Sequence, residues 1–251
     1  MIYFIGAGPG AVDLITVRGQ RLLQQADQII YAGSLVNPEL LTATKAGCRI
    51  LDSASMTLEE VLATMTEGEQ QGWLTVRLHT GDPSIYGAIR EQMDALAEKG
   101  ISYACVPGVS SFCAAAAAVQ AEYTLPGVSQ SVIITRMEGR TPVPDGQRIA
   151  DYAAHQATMV IFLSMSLLDK LEVELVKGGY SPDTKAAIVY KASWPEEEIH
   201  YCTVSTLAKT AADHQLTRTA LILVGDFLSD VYERSKLYDP AFSHGYRNAS
   251  R

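Results

Sequence analysis

Three small residues directly follow the first apolar run of the sequence and are spaced like a nucleotide-binding loop. Gly6, Gly8 and Ala11 match the loose pattern G-x-G-x-x-G/A after residues 2–5, which the apolar run predicts to be a strand. In dinucleotide-binding domains this pattern holds a pyrophosphate against the N-terminus of the next helix. The chemistry that it first suggests is hydride transfer with bound NAD or NADP.

Two details of the neighbouring sequence argue against a dinucleotide. The loop continues through Pro9, and the helical pattern begins only near Thr16, so the helix N-terminus would lie a turn or more away. The strand predicted at residues 28–31 lacks a following acidic residue for a ribose hydroxyl, since Asp27 precedes that strand. A loop that merely turns sharply accounts for one glycine better than for three. The nicotinamide-dependent oxidoreductase therefore stands as an alternative hypothesis.

Two further loops of similar composition follow predicted strands in the same half of the chain. RLHTGDPSIYG includes the end of the strand at residues 74–78, and CVPGVSSFCAAAAA includes the end of the strand at residues 103–106. Ligand crevices form at the carboxyl ends of parallel strands, and glycine lets the backbone approach a ligand closely. The three loops together predict a site whose backbone groups recognise an adenine or an amino acid without charge pairing.

The elements that position these loops alternate regularly along the chain. Strands are predicted at residues 2–5, 28–31, 49–51, 74–78, 103–106, 131–135, 158–163, 185–190, 199–203 and 220–224. Helices are predicted between the early strands and at residues 167–177 and 205–214. Thr57 and Glu60 form a capping box, and Ser84 and Ser110 are expected to be N-caps.

This alternation predicts an α/β protein with two α/β/α lobes. Residues 1–126 are expected to form a lobe with a mainly parallel sheet covered on both faces. The pattern breaks at Pro126 and Gly127, and residues 127–251 are expected to form a second lobe. A short loop before residues 199–203 predicts a hairpin, and therefore a mixed sheet, in that lobe.

Charge and composition narrow the class of partner and the compartment. The 251 residues carry 20 Lys and Arg against 28 Asp and Glu, so the net charge of −8 does not favour nucleic acid or an anionic membrane. The four cysteines have no metal-ligand spacing and are expected to be reduced thiols. Without a signal peptide or a run of about 18 apolar residues, the protein is expected to be soluble and cytoplasmic.

Six segments, in their order along the chain, resemble motifs of the tetrapyrrole (corrin/porphyrin) methyltransferase family. They are FIGAGPG, TGDPSIYG, PGVSSF, EGRTPVP, YKASWP and TALILVG, and the resemblance extends from residue 2 to about residue 247. It implies a class III fold that binds S-adenosyl-L-methionine between two lobes, methylates a ring carbon of a tetrapyrrole and releases S-adenosyl-L-homocysteine. It also implies a homodimer.

Within the family, these segments are most similar to those of members that methylate carbon 11 of precorrin-4 or cobalt-precorrin-4 in cobalamin biosynthesis. Diphthamide and ribosomal RNA methyltransferases share the cofactor half, but the negative charge and the EGRTPVP and YKASWP loops favour the macrocycle. Whether cobalt is already in the substrate ring is left open. A non-catalytic tetrapyrrole carrier is a further alternative, since the basic and aromatic loops contain no clear base.

The resemblance also implies which residues contact the cofactor. Carried over motif by motif, these are Pro9, Gly81, Asp82, Ile85, Ser110, Ser111, Leu163, Ala192, Thr219 and Ala220. Siroheme-type relatives commonly have methionine at Leu163 and glycine at Ala192. Both substitutions keep an apolar or small contact, so cofactor binding is still expected.

The chemistry of this transfer makes few demands on acid and base groups. An electron-rich ring carbon attacks a methyl group that the sulfonium already activates, so alignment supplies most of the rate enhancement. We therefore expect neither a catalytic triad nor a protein-bound metal. If proton loss must generate the nucleophile, Asp82 and Tyr86 are the nearest candidates, although Asp82 is equally suited to hold a turn.

The substrate residues are predicted from the basic and aromatic members of the motif loops. The candidates are Arg136, Glu138, Arg140, Lys191 and Trp194. The cations can pair with substrate carboxylates or lie as solvated surface charges. Trp194 and Tyr86 can stack on the macrocycle or pack in the core. No histidine is assigned to chemistry, and His79 is expected only to orient the loop that follows it.

Overall fold

The computed structural model describes residues 1–250, which divide into two compact units. The first unit contains Met1–Ala115 and Lys191–Glu197. The second contains Ala116–Tyr190 and the chain from Glu198 onward. This division differs from the one predicted at residue 126, because it falls earlier and assigns a short late segment to the first unit.

The first unit is a five-stranded parallel sheet with four helices. The strands β1–β5 are Ile2–Gly6, Gln28–Tyr31, Arg49–Asp52, Thr75–His79 and Tyr103–Val106. The helices α1–α4 are Val17–Gln25, Leu58–Gln70, Arg90–Glu98 and Ser111–Ala118, the last of which crosses the unit boundary. Short 3-10 helices lie at Val12–Leu14, Gly33–Leu35 and Pro38–Ala43. The strand order is β3-β2-β4-β1-β5.

The apolar runs of the central strands follow from burial on both faces of this sheet. Ile2 and Phe4 of β1 pack in one core cluster with Leu96 of α3. Ile5 lies in a second cluster with Leu23 of α1. The edge strands β3 and β5 are only partly buried, whereas every residue of β4 is buried. The predicted parallel sheet covered on both faces is therefore confirmed.

Most of the predicted helix starts are confirmed. The Thr16 hydroxyl accepts the N–H of Gly19, and Thr57 forms the predicted capping box at α2. α4 begins immediately after Ser110. The prediction for Ser84 is wrong, because α3 begins only at Arg90. The intervening loop contains residues with positive φ, which a right-handed helix does not accommodate.

The second unit is a five-stranded mixed sheet with three helices. The strands β6–β10 are Val132–Arg136, Thr158–Phe162, Lys185–Tyr190, Glu198–Thr203 and Ala220–Val224. The helices α5–α7 are Ile149–Ala153, Leu168–Lys177 and Leu207–Asp213. Short 3-10 helices lie at Met165–Leu167, Val204–Thr206, Asp226–Leu228 and Lys236–Tyr238.

The order of these strands is β6-β7-β10-β8-β9. Only β6 and β7 pair in parallel, and β8 and β9 form the predicted antiparallel hairpin. The core contains Ile161, Leu171, Ile188 and Ile222. The predicted mixed sheet is therefore confirmed. A membrane-spanning helix needs about 18 apolar residues, and none of the helices in residues 1–250 meets that requirement.

Candidate functional site

The three glycine-containing loops of the first unit meet at the carboxyl edge of its sheet. β4, β1 and β5 are neighbours there, and Gly8 exchanges two backbone hydrogen bonds with Gly81. A Cβ on Gly108 would lie 2.1 Å from the carbonyl oxygen of Gly81 and 2.7 Å from the Cα of Gly6. The convergence predicted from the sequence is therefore confirmed, and close backbone contact explains why glycines occupy these positions.

Asp82 joins two of these loops through its carboxylate. One oxygen accepts the N–H of Gly108 at 2.8 Å, and the other accepts the N–H and the hydroxyl of Ser84. Burial alone would raise the pKa of Asp82, but the bonds from Ser84 and Gly108 outweigh it and lower the pKa. The carboxylate is therefore held in its charged form. Its contacts are those of a residue that holds a turn, which is the alternative to a role in proton transfer.

A buried polar network lies under the loop that follows β4. Arg77 donates to Gln92 at 3.1 Å and to the Ile30 carbonyl at 3.1 Å, and Gln92 donates to the carbonyl of Ala88 at 2.8 Å. Burial lowers the pKa of Arg77 to about 10, so the residue remains a cation at neutral pH. This anchor is not among the residues predicted from the sequence, although one arginine among the apolar residues of β4 is the signal that marks it.

His79 is the last residue of β4 and is buried beside this network. Only 3% of its surface is exposed, and its Nε2 atom has no hydrogen-bond partner within the described chain. Burial and the charge of Arg77 lower the pKa of His79 to about 3. The ring is therefore neutral at physiological pH, and the carbonyl of His79 accepts the N–H of Ala7 in the first glycine loop at 2.7 Å.

The candidate residues of the second unit also gather at one edge of their sheet. β6, β7 and β8 run in the same direction and end there, while the antiparallel β10 begins there. Ala220 lies opposite Tyr190, and continuing the register of Ile222 with Ile161 brings Ala220 beside Leu163. The topology thus brings together residues that lie far apart in the sequence.

Two of these residues have a strained backbone. Leu163 has φ of 53° and Thr219 has φ of 57°, in the left-handed region that disfavours β-branched or bulky side chains. The side chain of Leu163 is also 66% exposed despite being apolar. Strain and apolar exposure at one sheet edge are typical of a ligand-binding surface.

The predicted substrate residues have different surroundings. The Arg136 guanidinium donates to the carbonyls of Met137, Thr141 and Pro142, so it shapes the EGRTPVP loop. Glu138 lies 3.9 Å from Arg148, and Arg140 is exposed.

The remaining substrate candidates, Lys191 and Trp194, belong to the first unit. Lys191 forms an ion pair with Glu196 at 3.5 Å, and its Nζ lies 5.5 Å from the centroid of the Trp194 ring. The Trp194 indole donates to the carbonyl of Pro9 at 2.9 Å. Ala192, which lies between these two residues in the sequence, is buried. This segment therefore contacts the first glycine loop, and this contact between distant segments is not predicted from the sequence.

The other predicted cofactor residues lie on the loops of the first edge. Pro9 and Ser110 are buried, whereas Ile85 and Ser111 are partly exposed. Tyr86 is 47% exposed with φ of 55°.

In residues 1–250, no three histidine, cysteine, aspartate or glutamate side chains are arranged to hold a metal ion, and the four cysteines are thiols without disulfides.

The fold and these two edges do not match a dinucleotide-binding domain. The Rossmann order 3-2-1-4 differs from the order found here, and α1 begins eight residues after Pro9 rather than at the glycine loop. A parallel unit with glycine loops and a mixed-sheet unit together define the class III methyltransferase fold. The chain belongs to the tetrapyrrole (corrin/porphyrin) methylase family, whose model matches residues 1–208.

Several members of this family are similar to this chain along nearly the whole length of both proteins. A cobalt-precorrin-4 C(11)-methyltransferase of Methanocaldococcus jannaschii is 49% identical over 100% of this chain and 97% of the relative. A precorrin-4 C(11)-methyltransferase of Mycobacterium tuberculosis is 44% identical over 97% of this chain and 98% of the relative. The X-ray structure of cobalt precorrin-4 methyltransferase, CbiF, matches with a TM-score of 0.89 at 47% identity, covering 91% of this chain and 95% of that one.

Proposed function

We propose that this protein is a methyltransferase that transfers the methyl group of S-adenosyl-L-methionine to carbon 11 of precorrin-4 or cobalt-precorrin-4. The product is the corresponding precorrin-5 compound of cobalamin biosynthesis. The observation that carries the proposal is the similarity along the full length of both chains to relatives named for this reaction. The glycine loops at the first sheet edge support it, because they offer a small, nearly uncharged surface to a nucleoside and an amino acid.

The proposed cofactor contacts are the residues that the family resemblance implies. They are Pro9, Gly81, Asp82, Ile85, Ser110, Ser111, Ala192, Leu163, Thr219 and Ala220. S-adenosyl-L-methionine supplies a methyl group on a cationic sulfur when bound, and S-adenosyl-L-homocysteine is the proposed product. The charged carboxylate of Asp82 favours a cationic ligand, and the exposed Leu163 offers an apolar contact.

Alignment is the proposed source of rate enhancement. The two oxygens of Asp82 already accept three hydrogen bonds, and its lowered pKa makes it a weak proton acceptor. Tyr86 stays a candidate for the proton step because it belongs to the same loop and is half exposed. We propose that Arg140 and Lys191 face substrate carboxylates, while Arg136 and Glu138 shape and flank the loop that presents Arg140.

The family resemblance, the thiols and the net charge each support a further proposal about the molecule in the cell. We propose a homodimer, which light scattering of the purified chain tests directly. The thiols of Cys48, Cys105, Cys113 and Cys202 support a reducing, cytoplasmic location. The net charge of −8 supports a small-molecule substrate rather than nucleic acid or a membrane surface.

The experiment is transfer of a ¹³C-labelled methyl group from S-adenosyl-L-methionine to each tetrapyrrole, followed by NMR of the product. We expect the label on carbon 11, and comparison of metal-free and cobalt-containing precorrin-4 identifies the preferred substrate. Label on another ring carbon would assign a different reaction within the family. Binding of the tetrapyrrole without any transfer would support the carrier alternative, and thermal stabilisation by NAD or NADP alone would support the oxidoreductase.

A further inference from the structure

The polar backbone groups of the first glycine loop are bound by a segment far along the chain. The Trp194 indole N–H donates to the carbonyl of Pro9 at 2.9 Å, and the N–H of Ala11 donates to the Ser193 hydroxyl at 3.1 Å. Both donors and acceptors lie within the first unit, because Lys191–Glu197 belongs to it. These backbone groups are therefore already paired, and the loop is held by the protein itself.

The Trp194 ring occupies the space that a side chain at Gly10 would need. A Cβ on Gly10 would lie 2.1 Å from Cδ1 and 2.2 Å from Nε1 of the indole, so the ring packs directly on the glycine backbone. The carbonyl of Gly10 accepts a hydrogen bond from the buried Asn37 at 2.8 Å. The loop is thus fixed from two directions, and it cannot move away from the ring without losing a buried bond.

The segment that contains Trp194 is itself tightly constrained. Lys191 and Ser193 have φ of 44° and 68°, which non-glycine residues rarely adopt. The N–H of Ser193 donates to the carboxylate of Glu197 at 2.6 Å, which closes the segment on itself. Strained backbone that several contacts hold in place is characteristic of functional positions. A loose surface connection would require none of these contacts.

We propose that Trp194 is a positioning residue that sets the conformation of Pro9–Ala11 for the methyl donor. The inference rests on the proposed function, since it assigns the loop to S-adenosyl-L-methionine. Stacking on the macrocycle would affect binding of the tetrapyrrole, whereas this role affects binding of the methyl donor. The hydrogen-bonding edge of the indole contacts Pro9 and Gly10. Loss of the contact therefore weakens cofactor binding and leaves tetrapyrrole binding unchanged.

The first test is Trp194→Phe, which keeps an aromatic face and removes the indole N–H. We expect the Kd for S-adenosyl-L-homocysteine, measured by calorimetry, to rise roughly fivefold to tenfold, as for loss of one hydrogen bond. The KM for S-adenosyl-L-methionine should rise in parallel, with the KM for the tetrapyrrole unchanged. Trp73→Phe is the matched control, because it alters the other tryptophan of the chain, and it should leave both constants unchanged.

The second test is a double-mutant cycle between Gly10 and Trp194. Gly10→Ala should weaken binding of S-adenosyl-L-homocysteine by at least about tenfold, because its Cβ overlaps the indole. In a Trp194→Leu background the same change should cost less than about twofold, because the overlapping ring is gone. Near-ultraviolet circular dichroism confirms that each variant is folded before binding is measured.

The outcomes separate this inference from the proposed function. If the unaltered protein fails to bind S-adenosyl-L-homocysteine, the proposed function is wrong. If the unaltered protein binds it and folded Trp194→Phe and Gly10→Ala bind equally well, the positioning role is wrong. A rise in the KM for the tetrapyrrole alone would assign Trp194 to macrocycle stacking instead.

Discussion

Two buried residues under the candidate site, Arg77 and His79, have surroundings that are unusual for their residue types. Arg77 is a buried cation that donates to two neutral oxygens, and it is linked to the backbone of Ala88 through Gln92. His79 is buried without a partner for Nε2 among the described residues. Both side chains lie on the strand that leads into the TGDPSIYG loop, so their protonation states affect the stability of that region.

His79 predicts a specific loss of stability in acid. Its pKa is about 3 in the folded protein and about 6.5 when unfolded, so below pH 6.5 only the unfolded state takes up the proton. Between about pH 7.5 and pH 5.5 this uptake lowers the free energy of unfolding by about 1.4 kcal/mol. His79→Gln should lose less stability than the unaltered protein over this interval, by that amount, in urea unfolding at the two pH values.

The matched control for this measurement is His155→Gln, because His155 is exposed. It should show the same pH dependence as the unaltered protein. An equal loss of stability in His79→Gln would mean that His79 is accessible to protons in the folded state.

At the scale of elements, the candidate site is made by loops at the carboxyl ends of neighbouring strands. The loops after β1, β4 and β5 approach one another so closely that only glycine fits at Gly6 and Gly108. Asp82 then ties the second loop to the third. The geometry of the site therefore depends on backbone packing between elements as much as on any reactive side chain.

Gly108→Ala tests this dependence. Its Cβ would lie 2.1 Å from the carbonyl oxygen of Gly81, which is already held by Gly8, so neither backbone can easily move. We expect a loss of about 1–3 kcal/mol in the free energy of unfolding, together with weaker binding of S-adenosyl-L-homocysteine. Urea unfolding and calorimetry measure the two effects.

Gly245→Ala is the control, because no atom lies within 4 Å of its added Cβ. It should change neither stability nor binding. If Gly108→Ala behaves in the same way, the backbone at Gly81 has room for the added Cβ and the loops are not closely packed there.

At the scale of the whole molecule, the chain has separate hydrophobic cores in its two units. Ile29 packs in the first unit with Leu23 and Leu78. Ile161 packs in the second with Leu171 and Ile222. No residue belongs to both of these clusters, so small cavities in the two cores should have independent energetic effects.

Ile29→Val and Ile161→Val test this independence, because each residue is fully buried. Each substitution should lower the free energy of unfolding by about 0.5–1.5 kcal/mol. The double variant should lose the sum to within about 0.5 kcal/mol, measured by hydrogen exchange of the core amides. A larger deviation from the sum would show that the two cores are energetically coupled.

The sequence was sufficient to predict most elements and the gathering of loops in the first unit. β2, β5, β8 and β10 have the predicted bounds, because buried strands produce short apolar runs between turn residues. The start of α1 was also predictable, since capping by Thr16 is a local interaction. Ser84 was misassigned because the same small polar residue also suits the turn that Asp82 holds.

The sequence by itself determined the fold class, the order of the strands along the chain and the edge at which the glycine loops lie. These depend on local hydrophobic pattern and on the direction of parallel strands. Only the tertiary structure decided that Trp194 contacts Pro9, 185 residues away, and that Arg77 is linked to Ala88 through Gln92. Such contacts depend on how distant segments pack, which the periodicity of one segment does not encode.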